Sequence, residues 1–271
     1  MYKASESPHN ETTFIPTGFP VIDSIVGGGI PRKKIFECSG QWSVGKSTFA
    51  LQVVAHAQKQ GIACAWIDSE YSFSERYSKD LGIDMNKLDL SQQPYAELLL
   101  DDAEEWATKH KNGLIVIDSI GGLLPKEESE KTSESRSIGL QARIVSSFCR
   151  RIVPILATKN HALIILNHNF VDIQTGRLKT SGGEKLSYAR SIWLTLKRSY
   201  GKPAKRTKDG KKTILFLEAE IRKNKLFPSE GMKCELEMIP GQGFLSAPPT
   251  LFEQPKRRGR PPRVSPLSPP K

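Results

Sequence analysis

The chain has 271 residues, 38% of them hydrophobic and 25% charged, with a formal net charge of +11. That is enough for one substantial α/β domain with an appendage, and the apolar share excludes a wholly disordered chain. No apolar run reaches the roughly 18 residues that span a bilayer, and the polar start "YKASESPHNETT" (2–13) lacks a signal-peptide core, so a cytoplasmic protein is expected.

Three zones divide the chain. Residues 1–13 form a polar, flexible segment, 14–246 the globular core, and 247–271 a tail in which eight of 25 residues are proline. Such a tail cannot bury enough apolar surface to pack. Within the core, "KKIFECSG" (33–40) predicts a strand and Lys46–Gln60 a helix. "IACAWID" (62–68), "LIVID" (114–118) and "ALIILN" (162–167) are unbroken apolar runs ending in a polar residue, the pattern of parallel strands buried on both faces. Helices are expected over Pro94–His110 and Ile138–Lys159, the second with apolar residues at spacings of three and four. The period then changes to two. "SIWLTLKR" (191–198), "KKTILFLEAEIRK" (211–223) and "MKCELEMIP" (232–240) predict antiparallel strands or a meander at one edge. The expected fold is α/β: a mostly parallel, doubly wound sheet with antiparallel strands at its C-terminal side, whose ligands sit at the carboxyl ends of the strands.

The four cysteines are widely separated, without the C-x-x-C spacing of a zinc or redox site, and are expected as buried free thiols. The tail from Phe252 carries six basic residues against Glu253, and the rest of the chain is also basic, which favours a polyanionic partner.

Between the first strand and helix lies Gly40-Gln41-Trp42-Ser43-Val44-Gly45-Lys46-Ser47-Thr48, the G-x-x-x-x-G-K-[ST] pattern of a phosphate-binding loop. Its backbone N–H groups and the helix N-terminus suit a nucleotide's phosphates; Lys46 would neutralise the β and γ groups and Ser47 would ligate Mg²⁺. Asp118, ending a neighbouring strand, is placed either to hold the Mg²⁺ of ATP or to cap a following helix. Glu70, just past another strand end, is either a solvated loop acid or the base that polarises an attacking water.

The stretches "GQWSVGKSTFALQVVAHAQKQGIACAWIDSEYSFSERYSKDLGID" (40–84), "LIVIDSIGGLLPKEE" (114–128), "IGLQAR" (138–143), "TSGGEKLSYARS" (180–191) and "IRKNK" (221–225) resemble, in order and spacing, successive signatures of the RecA recombinases. By size the chain is most similar to the small phage-encoded RecA/UvsX-like type, over about Phe14–Phe244. The resemblance implies a RecA-like phosphate-loop NTPase core using ATP and Mg²⁺, with single- and double-stranded DNA as partners and self-association into a filament. It makes Glu70 the catalytic glutamate and Tyr77 the aromatic on adenine. Lys223 and Lys225 become the pair that reaches a neighbour's γ-phosphate, and Asn167-His168 stands where the family's γ-phosphate sensor is usually Asn-Gln. Two polar segments match its DNA loops, 126–137 and 168–183. Arg143 and Arg150 match positions that meet the DNA backbone, and Ile138 and Ile173 would wedge between base triplets. Phe170, Arg177, Lys179, Gly182 and Gly183 belong to the second loop, whose register is left open by its shortness.

Both ends depart from the family pattern. The helix that usually precedes "FIPTG" and the folded C-terminal domain have no counterpart in this sequence, so filaments without DNA are expected to be weaker. "KRRGRPPR" (256–263) resembles an AT-hook with Arg258-Gly259-Arg260 at its centre; an extended Arg-Gly-Arg ribbon suits the narrow, strongly negative minor groove of A·T tracts. The expectation is an ATP-dependent recombinase with DNA-stimulated hydrolysis, the alternative a paralogous ATPase that regulates or loads another recombinase. A ring helicase would ordinarily use an arginine finger rather than a lysine pair, and a small-molecule kinase has no use for the loops or Glu70.

Overall fold

The computed structural model describes residues 3, 12–130, 139–199, 202–207 and 210–245. β1 (Phe14–Ile15) pairs antiparallel with β2 (Ile30–Pro31) inside the same chain. Between them α1 (Pro20–Val26) starts on a proline, whose fixed φ suits a first helical turn, and stops at Gly27 in the left-handed region. β3 (Lys34–Gly40) leads through the glycine-rich loop into α2 (Lys46–Lys59), and β4 (Cys64–Asp68) into α3 (Glu75–Asp80). β5 (Leu88–Ser91), α4 (Ala96–Lys109), β6 (Leu114–Asp118), the short α5 (Lys126–Ser129) and α6 (Leu140–Lys159) follow. α6 begins two residues later than expected, because Gly139 at φ 83 breaks the helical path. Next come β7 (Ala162–Val171), β8 (Leu178–Thr180), α7 (Gly183–Ala189), β9 (Arg190–Arg198), β10 (Lys205–Arg206), β11 (Thr213–Asn224), β12 (Lys233–Ile239) and β13 (Gly243–Phe244).

The main sheet runs β13-β12-β11-β9-β3-β7-β6-β4-β5, with β8 added to β7 and β10 to β11. From β9 to β5 all neighbours are parallel, and from β9 to β13 all are antiparallel. The mostly parallel sheet with antiparallel strands at its C-terminal side is therefore present. Ser191–Arg198 is antiparallel to β11 as expected, while its other neighbour, β3, lies parallel to it, so β9 is the joint where the sheet changes sense. The crossover through α7 supplies the reversal that a parallel neighbour requires.

One core layer packs α1 and α2 against one face of the sheet, with Phe49, Val53 and Val54 buried beside Phe36 and Cys38. The other packs α4, α6 and α7 against the opposite face, through Leu99, Leu100, Phe148, Ile152 and Leu186. All four cysteines are buried free thiols, as expected; burial pushes each up to about 12, so none is nucleophilic at neutral pH. No helix among the described residues is long and apolar enough to cross a membrane.

Glu37 interrupts the apolar run of β3 and is wholly buried. It pairs with Arg190, whose guanidinium lies 3.8 Å from the centre of the Trp193 ring and donates to Thr180 Oγ1 at 3.0 Å. Asn167 Nδ2 donates to Glu37 Oε1 (3.1 Å) and to the Ser181 carbonyl (2.8 Å). The pair thus ties β3 to β7, β9 and the β8–α7 turn. Truncating one member would leave an uncompensated buried charge, a loss of about 3–5 kcal/mol.

The segment 168–183 is not the open polar loop that its composition predicts. β7 continues to Val171 and pairs with β8 in the register Asn169↔Thr180, Phe170↔Lys179 and Val171↔Leu178. Asp172 closes the tip by accepting from Thr175 N at 2.8 Å and from Lys179 Nζ. Of the first expected DNA loop, 126–130 is described, with a helical turn over Lys126–Ser129. Residues 131–137, Ile138 and the AT-hook-like Arg258, Gly259 and Arg260 lie outside the described residues.

Candidate functional site

The loop's shape follows from its glycines. A Cβ on Gly40 would lie 2.5 Å from the Leu196 carbonyl oxygen, so only glycine lets β3 end against β9 at this point. Gly45, at φ 91, turns the chain directly into α2. The N-terminus of that 14-residue helix then faces the loop, with unpaired N–H groups and the positive end of its dipole. Lys46 Nζ is held across the mouth by the carbonyls of Gln41 (2.8 Å) and Gly40 (3.2 Å). Burial lowers its pKa, while Cys38, Asp118 and Glu70 act in the other direction.

Asp118 emerges at the end of β6 and is 4% exposed. It does not cap the turn that follows; the Ser47 hydroxyl lies close enough to its carboxylate to favour the ionised form. Desolvation raises its pKa to about 6, against the lowering effect of that hydroxyl. Ser47 and Asp118 therefore pair a hydroxyl with a carboxylate beside the phosphate loop, a donor set of the hard oxygen type that Mg²⁺ takes.

The pKa shift has a measurable consequence. The folded-state value lies above the unfolded 3.8, so the wild type loses stability as pH rises from 3.8 through about 6. An asparagine side chain in its place would not titrate. In nucleotide-free protein with chelator, Asp118→Asn should therefore stabilise the fold at pH 8 by up to about 3 kcal/mol, the difference vanishing below pH ~4. Urea unfolding at the two pH values checks this. An equal or lower stability of the variant at pH 8 would contradict it.

Glu70 is anchored from two directions. Asp68, at the end of β4, accepts from the N–H groups of Glu70 (3.1 Å), Ser72 (3.3 Å) and Phe73 (3.0 Å), and from Gln92 Nε2 (2.8 Å). Ser119 Oγ donates to Glu70 Oε1, and Ser69 Oγ braces Ser119 by donating to its carbonyl at 2.6 Å. A Cβ on Gly122 would lie 2.6 Å from Ser69 Oγ and 2.8 Å from Glu70 Cγ, so glycine at 122 makes room for the glutamate. His168 Nε2 lies 3.5 Å from Glu70 Oε1. Tyr77 projects from α3, and its hydroxyl lies 3.0 Å from Thr48 Oγ1.

Trp42, Ser43, Gly45, Lys46, Ser47 and Thr48 thus share one cavity of about 430 Å³ with Glu70, Tyr77, Asp118 and His168. Gly40, Gln41 and Val44 of the loop do not line it; Val44 is buried in the core. Three lining residues escaped the sequence reading: Met238, Pro240 and Gly241, from the end of β12 and the turn after it. So did Ser119 and Gly122, although an Asp-Ser pair ending both β4 and β6 is a signal that a polar brace joins them.

Lys223 and Lys225 stand elsewhere. Lys223 is level with Trp193, and Trp193 with Glu37, three residues short of Gly40, which is ~10 Å along the strand and two strands across. Their ammonium groups donate to the carbonyls of Ser187 (2.5 Å) and Tyr188 (2.6 Å) in α7, on the sheet face opposite α2. Burial and the neighbouring Lys225 charge lower the pKa of Lys223.

Arg143 and Arg150 are both exposed on α6. Phe170, Ile173, Arg177 and Lys179 are exposed on the β7–β8 hairpin, and Ile173 at its tip is 99% exposed. Gly182 and Gly183, both at positive φ, form the turn into α7; a Cβ on Gly182 would lie 2.9 Å from Leu186.

A family model described as "RecA N-terminal domain" matches residues 1–245. Protein RecA of Thermus aquaticus is 35% identical over 249 residues, covering 90% of this chain and 72% of that one. Protein RecA of Aquifex pyrophilus is 34% identical over 246 residues, 89% of this chain and 69% of that one. Matched along nearly its whole described length, the chain belongs to the RecA family.

Proposed function

We propose that this protein is an ATP-dependent DNA recombinase that coats single-stranded DNA as a filament, pairs it with homologous duplex and exchanges strands. The observation that carries this reading is a site built in two halves. The phosphate loop, Glu70, Asp118 and His168 line one cavity, whereas Lys223 and Lys225 are held by α7 on the other face of the sheet. Cations so placed are held away from their own chain's phosphate loop, which favours service to the nucleotide of a neighbour stacked head to tail.

Bound MgATP would supply the phosphoanhydride to be cleaved. Backbone N–H groups from Gly45 to Thr48, with Lys46, would orient the phosphates, Ser47 and Asp118 would hold the metal, and Tyr77 would face the base. Glu70 accepts a proton from the attacking water, its carboxylate fixed by Ser119 and the Asp68 turn. His168 sits within 3.5 Å of that carboxylate on the strand that becomes the hairpin. The hairpin's exposed Phe170 and Ile173, with Arg177, Lys179, Arg143 and Arg150, offer the mixture of apolar and cationic contacts that binds single strands without reading sequence.

The domain division 1–13, 14–246 and 247–271 is part of the proposal, with the tail as a duplex-recruiting handle. Deleting residues 252–271 should lower duplex affinity at physiological salt and leave the salt dependence shallower; unchanged affinity would remove the handle. The function itself is tested by ATP hydrolysis with and without single-stranded DNA, beside a strand-exchange assay. Stimulation with exchange supports the recombinase, stimulation without exchange favours a paralogue that loads or regulates another recombinase, and no DNA dependence rejects both.

A further inference from the structure

Trp42 is 83% exposed, whereas the chain's other tryptophans, Trp66, Trp106 and Trp193, are at most 9% exposed. A phosphate cradle works through backbone N–H groups and has no need of an indole at this position. Yet the loop holds the largest apolar side chain available on the rim of the nucleotide cavity, facing water. An isolated aromatic of that size on a functional rim is what the anchor of an interface looks like before its partner arrives.

A second cavity, of about 620 Å³, has the complementary character. It opens at the starting ends of β3 and β9, between α6 and α7. Five cations line it, Lys33, Lys34, Arg150, Lys185 and Lys225, and among the described residues no carboxylate does. Val153 and the 68%-exposed ring of Tyr188 give it apolar surface. Lys225, which lines this second cavity, is one of the two lysines assigned above to a neighbour's nucleotide. If it serves the nucleotide of a neighbouring copy, as proposed above, the wall it belongs to must press against that neighbour's phosphate loop. The large apolar group on that loop is Trp42, and the exposed ring in that wall is Tyr188. A cation-lined recess with an aromatic wall suits an indole, through cation–π attraction and ring packing. Of the groups beside Trp42, Glu70 and any bound polyphosphate are opposite in sign to the five cations, whereas Lys46 and Arg198 are not.

We infer that Trp42 of one copy inserts into the cation-lined cavity of the next, against Tyr188, and is the apolar anchor of the contact between copies. The inference rests on the assembly reading above, and the test separates the two. With oligothymidine and a non-hydrolysable ATP analogue, acrylamide quenching of tryptophan emission should fall severalfold on assembly, since only Trp42 is accessible in the isolated copy. Tyr188→Ala, remote from the nucleotide cavity of its own chain, should bind nucleotide as the wild type does. It should raise the protein concentration for half-assembly by about tenfold or more. Trp42→Ala combined with Tyr188→Ala should be no worse than the more damaging single change, as for two halves of one contact. If the wild type assembles but Trp42 stays as quenchable as before, or the two substitutions add in full, the anchor is refuted and the assembly reading stands. If no assembly forms on DNA, both are refuted.

Discussion

Glu70→Gln should lower DNA-stimulated ATP hydrolysis about 10²–10⁴-fold, the range expected for loss of a positioned general base. The substitution is conservative in shape. Ser119 Oγ would still find an amide oxygen where Oε1 stands, and the Glu70 N–H bond to Asp68 belongs to the backbone. What disappears is the capacity to take a proton from water at neutral pH. Hydrolysis of a nucleotide held between two copies would end the contact made by the γ-phosphate. The variant should therefore also dissociate from single-stranded DNA more slowly in ATP than the wild type. Single-turnover hydrolysis and a DNA-competitor chase read the two effects. A loss below tenfold would remove Glu70 as the base and return it to a loop acid held by Ser119.

That glutamate also shows how far the sequence could be read. Its position after an apolar strand was legible, and so were β3, β4 and β6, since unbroken apolar runs ending in a polar residue have few other uses. The brace around it was not, because Ser119 and Gly122 reach Ser69 and Glu70 only through the parallel pairing of β4 with β6. A period of two identified β9 as a strand but said nothing of its direction. That depends on α7, a seven-residue helix too short to show a period and opened by two glycines. The hairpin was hidden for a related reason. Phe170 and Val171 extend β7 with side chains exposed on both faces, so no buried pattern marked the strand. Glu37 was visible as a charge inside an apolar run, yet its partner Arg190 stands 153 residues away and only the fold brings the two together.

The placement of Lys223 and Lys225 leads to the sharpest expectation. If each active site takes Glu70 from one copy and the lysines from the next, two inactive variants should rescue each other. Glu70→Gln and a Lys223→Ala/Lys225→Ala double variant should each hydrolyse ATP at a small fraction of the wild-type rate. Mixed in equal amounts on DNA, they meet at random. A junction works only when the lysine variant supplies the phosphate loop and the glutamate variant supplies the cations. With two types at two positions, about one junction in four satisfies that condition in a head-to-tail array. The mixture should thus recover roughly a quarter of the wild-type rate, well above the mean of the two parents. A site confined to one chain can do no better than that mean, whatever the mixing ratio. The α7 carbonyls that hold both ammonium groups on the sheet face away from α2 favour the first outcome, because self-service would require the lysines to cross the sheet.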